Sequence, residues 1–286
     1  MKLMRISNFQ GQVVPCVLDE TGTARDVSSI VTDFTPETLS PKLLADLANI
    51  DLQTLPATPF EENQIAPPVS RPRNIWCIGL NYSDHAAESN LPIPVEPIVF
   101  NKASSSFCGP NEPIHHAPTM TKLDWEVELG IVIGKPTLSV TAAEALSHIA
   151  GFVVVNDVSE RAWQVERGGQ WVKGKSFPSF CPTGPWLVTT DEIDDVQDLV
   201  AWLEVNGERR QSGNTSNMIF SVAEIVAHLS QFILLEPGDL ICTGTPAGVG
   251  AGLTPPQWLQ PGDVVSLGID RLGSQRQVVT SFNGRV

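Results

Sequence analysis

Asp124, Glu126 and Glu128 alternate in the run Lys122-Leu-Asp-Trp-Glu-Val-Glu-Leu-Gly-Ile-Val-Ile-Gly134, and three carboxylates at that spacing are the beginnings of a cation site. The interleaved Trp125, Val127, Leu129, Ile131 and Ile133 are apolar, the period-2 pattern of a strand with one face on a core. The acids then share the other face, with neighbours about 6.6 Å apart, and they repel unless a cation or a basic group lies between them. Hard oxygen donors suit magnesium, calcium or manganese. The alternative reading is a solvated strand face on an acidic protein.

Further groups join this set. Gly151-Phe-Val-Val-Val-Asn-Asp157 is apolar on both faces and ends in an acid where Ser159-Glu-Arg-Ala-Trp-Gln164 begins a helix. Asp157 is therefore either a helix cap or a metal ligand, and Gln164, two turns along, faces the same pocket or solvent. Asn81-Tyr-Ser-Asp84 carries helix-start signals, with Asn81 or Ser83 as cap. His85 and Glu88 are then i and i+3 on one helical face. Such a pair is either a surface ion pair or a carboxylate-oriented imidazole able to take a proton from water, and Leu91-Pro-Ile-Pro94 after it suits a mobile cover. Gly169-Gln-Trp-Val-Lys-Gly174-Lys175-Ser176 matches a phosphate-loop spacing. A helix ending at Gly168-Gly169 and prolines at 178 and 182 exclude the strand-loop-helix context that such a loop needs. Thr245 and the backbone at Gly244 offer donors for a substrate carboxylate, as glycine-rich turns do, or form an ordinary tight turn.

The elements that position these groups are mostly strands. Residues 1–55 read as short strands, notably Val13–Leu18, with an amphipathic helix at Pro41-Lys-Leu-Leu-Ala-Asp-Leu-Ala48. Five prolines between Pro56 and Pro72 make an extended linker. We therefore expect a small N-terminal domain over residues 1–68 and a catalytic domain over 69–286. The second region contains strands at 75–78, 98–100, 152–157, 186–189 and 203–210, the last a hairpin through Asn206-Gly207. Two Pro-Gly-Asp turns at 237–239 and 261–263 lead into apolar strands. Helices are expected at 82–89, 159–167 and 222–232, making a β-rich α+β domain.

With 286 residues and 42% hydrophobic content the chain can bury a large core. No apolar stretch approaches the roughly 20 residues of a membrane span. Five scattered cysteines without a CxxC pair argue against a disulfide framework and fit a reducing cytoplasm. The net charge of −14 opposes nucleic acid and anionic membrane as partners, and an anionic substrate needs a local cation.

Taken in order, Arg73-Asn-Ile-Trp-Cys-Ile-Gly-Leu-Asn-Tyr-Ser-Asp-His85, the Asp-Trp-Glu-Val-Glu-Leu strand, Val-Asn-Asp157-Val-Ser-Glu-Arg, Gly-Lys175-Ser-Phe, Asn214-Thr-Ser-Asn-Met-Ile-Phe220 and Thr243-Gly-Thr-Pro-Ala-Gly-Val-Gly250 resemble the fumarylacetoacetate hydrolase family over residues 70–286. Gly184-Pro-Trp-Leu-Val-Thr189 and Gly213-Asn-Thr-Ser-Asn-Met-Ile-Phe220 are most similar to its 2,4-diketo-3-deoxy-L-rhamnonate and L-fuconate hydrolases. The resemblance implies a β-sandwich roll, Mg²⁺ or Mn²⁺ held by Glu126, Glu128 and Asp157, and a helical lid carrying His85 and Glu88. It further implies a catalytic Lys175, substrate contacts from Gln164, Gly244, Thr245 and Lys102, and a homodimer. Asp124 lies outside that ligand set and is expected behind it or paired with Lys122 or Lys175. Pro178 stands where many relatives carry an acid. The implied reaction is hydrolysis of a small anionic diketo acid to pyruvate and a hydroxy acid such as lactate. Oxaloacetate decarboxylation or ureidoglycolate-lyase-like chemistry is the alternative on the same fold.

Overall fold

The computed structural model describes residues 1–7, 11–88, 92–282 and 284. Among these, ten strands form one sheet. From edge to edge its neighbours are Ala24–Asp26, Val13–Leu18, Lys2–Ser7, Leu187–Thr189, Ile149–Asn156, Val127–Ile133, Leu240–Cys242, Ile75–Gly79 and Ile98–Lys102, while Ile65–Ala66 also pairs with Lys2–Ser7. A second, five-stranded sheet runs Glu208–Asn214, Val200–Val205, Val264–Ile269, Gly273–Ser281, Ile114–His116.

Alternation along Val127–Ile133 explains how the sheets pack. Val127, Leu129, Ile131 and Ile133 enter a core shared with Leu203, Val265 and Leu267 of the second sheet, which makes the sandwich. Val132, on the opposite face, enters a second core with Leu3, Val17, Phe34 and Leu47. Every residue of this strand is buried. The face that carries Glu128 is therefore not a solvated one, and a carboxylate there needs partners.

The N-terminal 68 residues, expected as a domain of their own, share both a sheet and a core with the rest. Lys2 and Leu3 pair with Val188 and Leu187, and Val17, Phe34 and Leu47 pack with Ile75, Val153 and Leu240. The helix Pro41–Ala48 starts as its sequence predicts, with Pro in the first turn and the Ser40 side chain accepting from Leu43 N, and it buries Leu43 and Leu47. The hairpin turn has Asn206 and Gly207 at φ 52° and 79°, the doubly positive pair of a type I′ turn. Helix 222–232 is observed as Val222–Ser230, opened by a capping box between Ser221 and Glu224. No helix among the described residues is long and apolar enough to cross a membrane, and all five cysteines are free and buried.

Candidate active site

One ligand atom from each of Glu126, Glu128 and Asp157 lies within 4.8 Å of the others, and all three residues are buried. Glu128 lies within the strand Val127–Ile133, Glu126 just before it, and Asp157 just after the neighbouring strand Ile149–Asn156. The strand Leu123–Asp124 breaks at Trp125–Glu126 before Val127–Ile133 resumes, and Glu128 pairs with Val155 across the ladder that brings in Asp157. Asp157 does not cap the following helix. The Glu160 side chain does so by accepting from Ala162 N, and the expected helix from Ser159 is shortened to Arg161–Val165 because Ser159–Glu160 pairs with Leu123–Asp124.

Lysines and an arginine neutralise most of this charge. Lys175 Nζ lies 2.7 Å from both Glu126 Oε2 and Asp157 Oδ2, and Lys102 is ion-paired with Asp157 Oδ1. Arg161 reaches Glu126 Oε1 at 2.7 Å and Asp124 Oδ2 at 2.8 Å. Glu128 receives a backbone N–H from Gly244 at 2.8 Å and is the least compensated of the three. The titration tendencies follow. Burial raises the Glu126 carboxyl, but Lys175 and Arg161 outweigh it and hold the group below the usual carboxylate range. Burial and then the charges of Asp157 and Glu126 push Glu128 well above that range. Lys175 is raised despite burial, by Asp157 and then Glu126.

This donor set fits a divalent cation. Three converging hard carboxylates carry a charge that the surrounding side chains leave uncompensated at Glu128, and a bound cation balances it there. Lys175 reaches the cluster from the short helix Val172–Lys175. A Cβ at Gly174 would meet Glu160 O at 2.5 Å, so only glycine lets that helix lie on the 160–164 backbone. The P-loop-like spacing thus delivers its lysine to carboxylates.

The site opens into a cavity of about 550 Å³ whose lining includes His85, Glu88, Gln164, Lys175, Gly244 and Thr245. The helix predicted from Tyr82 is observed as Ser83–Glu88. Its expected continuation through Ser89, and Leu91 of the cover, lie outside the described residues. His85 Nδ1 is 3.2 Å from Glu88 Oε2, and Glu88 Oε1 accepts from Gly248 N at 2.9 Å, so the helix is docked on the 248–252 loop. A carboxylate only accepts, which places the imidazole proton on Nδ1 and leaves Nε2 as the acceptor. Asn81 is not the helix cap. It donates to Phe220 O and Thr243 O and accepts from Phe220 N, tying the helix to two distant segments.

Several expected roles shift. Asp124 pairs with neither Lys122 nor Lys175: Lys122 binds Glu166, and Asp124 takes Arg161 together with the N–H groups of Gly250 and Ala251. Lys102 does not line the cavity, because its fully buried amine lies behind Asp157 and donates to Val158 O. The Gly244 N–H is occupied by Glu128. The Thr245 hydroxyl donates to Val127 O and accepts from Gln211. Gln164 does face the cavity, accepting from Arg161 at 3.2 Å. Arg161, Phe100 and Trp171 also line it and were missed. Arg161 was legible as the cation four residues after Asp157, whereas the aromatics carry no local signal.

A model of the fumarylacetoacetate (FAA) hydrolase C-terminal family matches residues 74–280. A protein of Burkholderia multivorans, named no more closely than as a hydrolase, is 52% identical over 97% of this chain and 98% of its own. The solved fumarylacetoacetate hydrolase of psychrophilic Exiguobacterium antarcticum is similar with a TM-score of 0.88 and 36% identity, covering 99% of this chain and 100% of that one. The 2-hydroxyhepta-2,4-diene-1,7-dioate isomerase of Mycobacterium marinum is similar with a TM-score of 0.76 and 32% identity over 100% of both chains.

Proposed function

Since the chain belongs to the fumarylacetoacetate hydrolase family, we propose that it hydrolyses the C3–C4 bond of a 2,4-diketo acid. A 2,4-diketo-3-deoxy sugar acid such as L-2,4-diketo-3-deoxyrhamnonate would give pyruvate and lactate. The observation that carries this reading is that Glu126 and Glu128, two members of the buried acidic triad, line the same cavity as the His85–Glu88 pair. Decarboxylation or C–N elimination needs no activated water, the role for which this carboxylate-oriented imidazole is suited.

Glu126, Glu128 and Asp157 would hold Mg²⁺ or Mn²⁺, which when bound supplies electrostatic stabilisation to the enolate left by bond cleavage. His85 takes a proton from water through Nε2 while Glu88 stabilises the imidazolium at Nδ1. The hydroxide equivalent adds to C4. The C3–C4 electron pair then leaves on the pyruvate fragment, and protonation of C3 completes pyruvate. Two of the three Lys175 N–H bonds go to Glu126 and Asp157. The third is the donor proposed for the C4 oxygen as negative charge develops there. Gln164, which accepts from Arg161 and lines the cavity, would orient the substrate.

The test is a panel of 2,4-diketo acids assayed with Mg²⁺ or Mn²⁺ by coupled pyruvate detection. Release of pyruvate that stops in chelator is the expected result. Absence of pyruvate from every member, with the protein folded and metal-loaded, would overturn the reading.

A further inference from the structure

We propose that the cavity selects a diketo acid whose C4 acyl group is uncharged and ends in an apolar group, and that it rejects a substrate with a second, terminal carboxylate. The inference rests on the acylpyruvate reading above and narrows its substrate class.

It comes from what remains of the wall once the charged groups are assigned. The cavity presents two permanent cations, Arg161 and Lys175. Both are committed: Arg161 to Asp124 and Glu126, Lys175 to Glu126 and Asp157. The remaining Lys175 N–H is the one assigned to the C4 oxygen, and drawing either cation to a second carboxylate would weaken its hold on a buried acid. The rest of the wall is largely apolar and includes Phe100, Val165, Trp171, Leu253 and Pro256. Phe100 and Trp171 meet edge to face, with centroids 5.2 Å apart, and Lys175 Nζ lies 5.2 Å from the Phe100 ring centroid. The apolar wall therefore begins beside the amine that faces the reacting carbonyl, where the acyl substituent must go. The Trp171 indole is seated on the Gly79 backbone, where even a methyl side chain would strike it, so its position is fixed by packing. A terminal carboxylate against this wall would lose water and gain no uncommitted cation in return, in a protein of net charge −14 that already repels it. A methyl end, as on a 6-deoxy sugar acid, loses nothing.

The test uses two substrates of equal length, 2,4-dioxoheptanoate and 2,4-dioxoheptanedioate, which differ only in a methyl or carboxylate end. The wild-type enzyme should favour the first in kcat/KM by roughly 10²-fold, the scale of one buried polar group left unpaired. Val165 is 56% exposed at the cavity edge, so Val165→Arg can supply the missing cation without disturbing a core. It should narrow the ratio at least about tenfold by raising kcat/KM for the dioate. A binding arm independent of turnover compares the thermal shift given by uncleavable 2-oxoheptanoate and 2-oxoheptanedioate with Mg²⁺, where the same preference is expected. Equal kcat/KM values or equal shifts would overturn this inference while leaving hydrolysis standing. Loss of turnover on both substrates with the binding preference intact would instead overturn the acylpyruvate reading.

Discussion

Arg161 Nε donates to Asp124 Oδ2 at 2.8 Å, and the same Asp124 carboxylate accepts the N–H groups of Gly250 at 2.7 Å and Ala251 at 3.0 Å. One buried acid thus ties the loop over the cavity to the arginine that holds Glu126. Removing it leaves Arg161 partly uncompensated and two loop amides without their acceptor. Asp124→Ala should cost roughly 3–5 kcal/mol, as breaking a buried pair does, read as a lowered urea midpoint. Because Asp124 and Arg161 act as one unit, the double variant with Arg161→Ala should lose less than the sum of the singles. Additive losses would show that the two residues act independently.

Metal binding has its own readout apart from activity. A cation that binds the folded triad stabilises it by RT ln(1 + [L]/Kd), about 2.7 kcal/mol at a hundredfold excess over Kd. Mg²⁺ or Mn²⁺ should therefore raise the melting temperature of the wild type. Glu128→Ala should abolish that rise, since two remaining carboxylates hold such ions weakly. A rise of the same size in the variant would place the ion elsewhere.

The His85–Glu88 pair separates hydrolysis from reactions that need no water. His85→Ala should cut diketone hydrolysis by roughly 10²–10⁴-fold, the usual scale for loss of a general base. Any decarboxylation of oxaloacetate by the same protein should fall much less. Parallel losses in both reactions would mean that His85 serves binding.

Far from the cavity, Asp19 sets an acid limit on stability. Its carboxylate accepts from Thr21, Thr23, Arg25 and Gln53. These bonds, Thr21 foremost, hold it below the ordinary value of 3.8. A depressed carboxyl contributes stability that is fully present above 3.8 and is lost as pH falls through the folded value. The stability difference between wild type and Asp19→Asn should be constant above about pH 5 and shrink below 3.8. A difference independent of pH down to acid unfolding would show that Asp19 is not ionised in the fold.

Much of the site was legible because its signals are local. Alternation exposed Glu126 and Glu128, the polar end of an apolar strand exposed Asp157, and helical spacing paired His85 with Glu88. What was not legible depends on long-range pairing. The partners of Asp124 and Lys102 are Arg161 and Asp157, 37 and 55 residues away, and no spacing rule reaches that far. The strand Gly273–Ser281 escaped for a different reason. Its inward residues Gln275 and Gln277 are buried polar groups, satisfied by Val154 O, Gly184 O and Asn156, so the hydrophobic alternation that marks a half-buried strand is missing. The strand Lys2–Ser7 likewise hides a buried Arg5, whose guanidinium binds Asp33 and the carbonyls of Pro67 and Val69. That same arginine helps explain why the N-terminal segment is fastened to the proline-rich stretch instead of standing apart.

The central claim is that water adds across a C3–C4 bond in this cavity, and product analysis in H₂¹⁸O tests it most directly. With Mg²⁺ and a 2,4-diketo acid, pyruvate and the C4-derived acid should form in equal amounts, with ¹⁸O entering the new carboxylate of that acid. Release of CO₂, or an isomerised product with the C3–C4 bond intact and no new carboxylate, would contradict it.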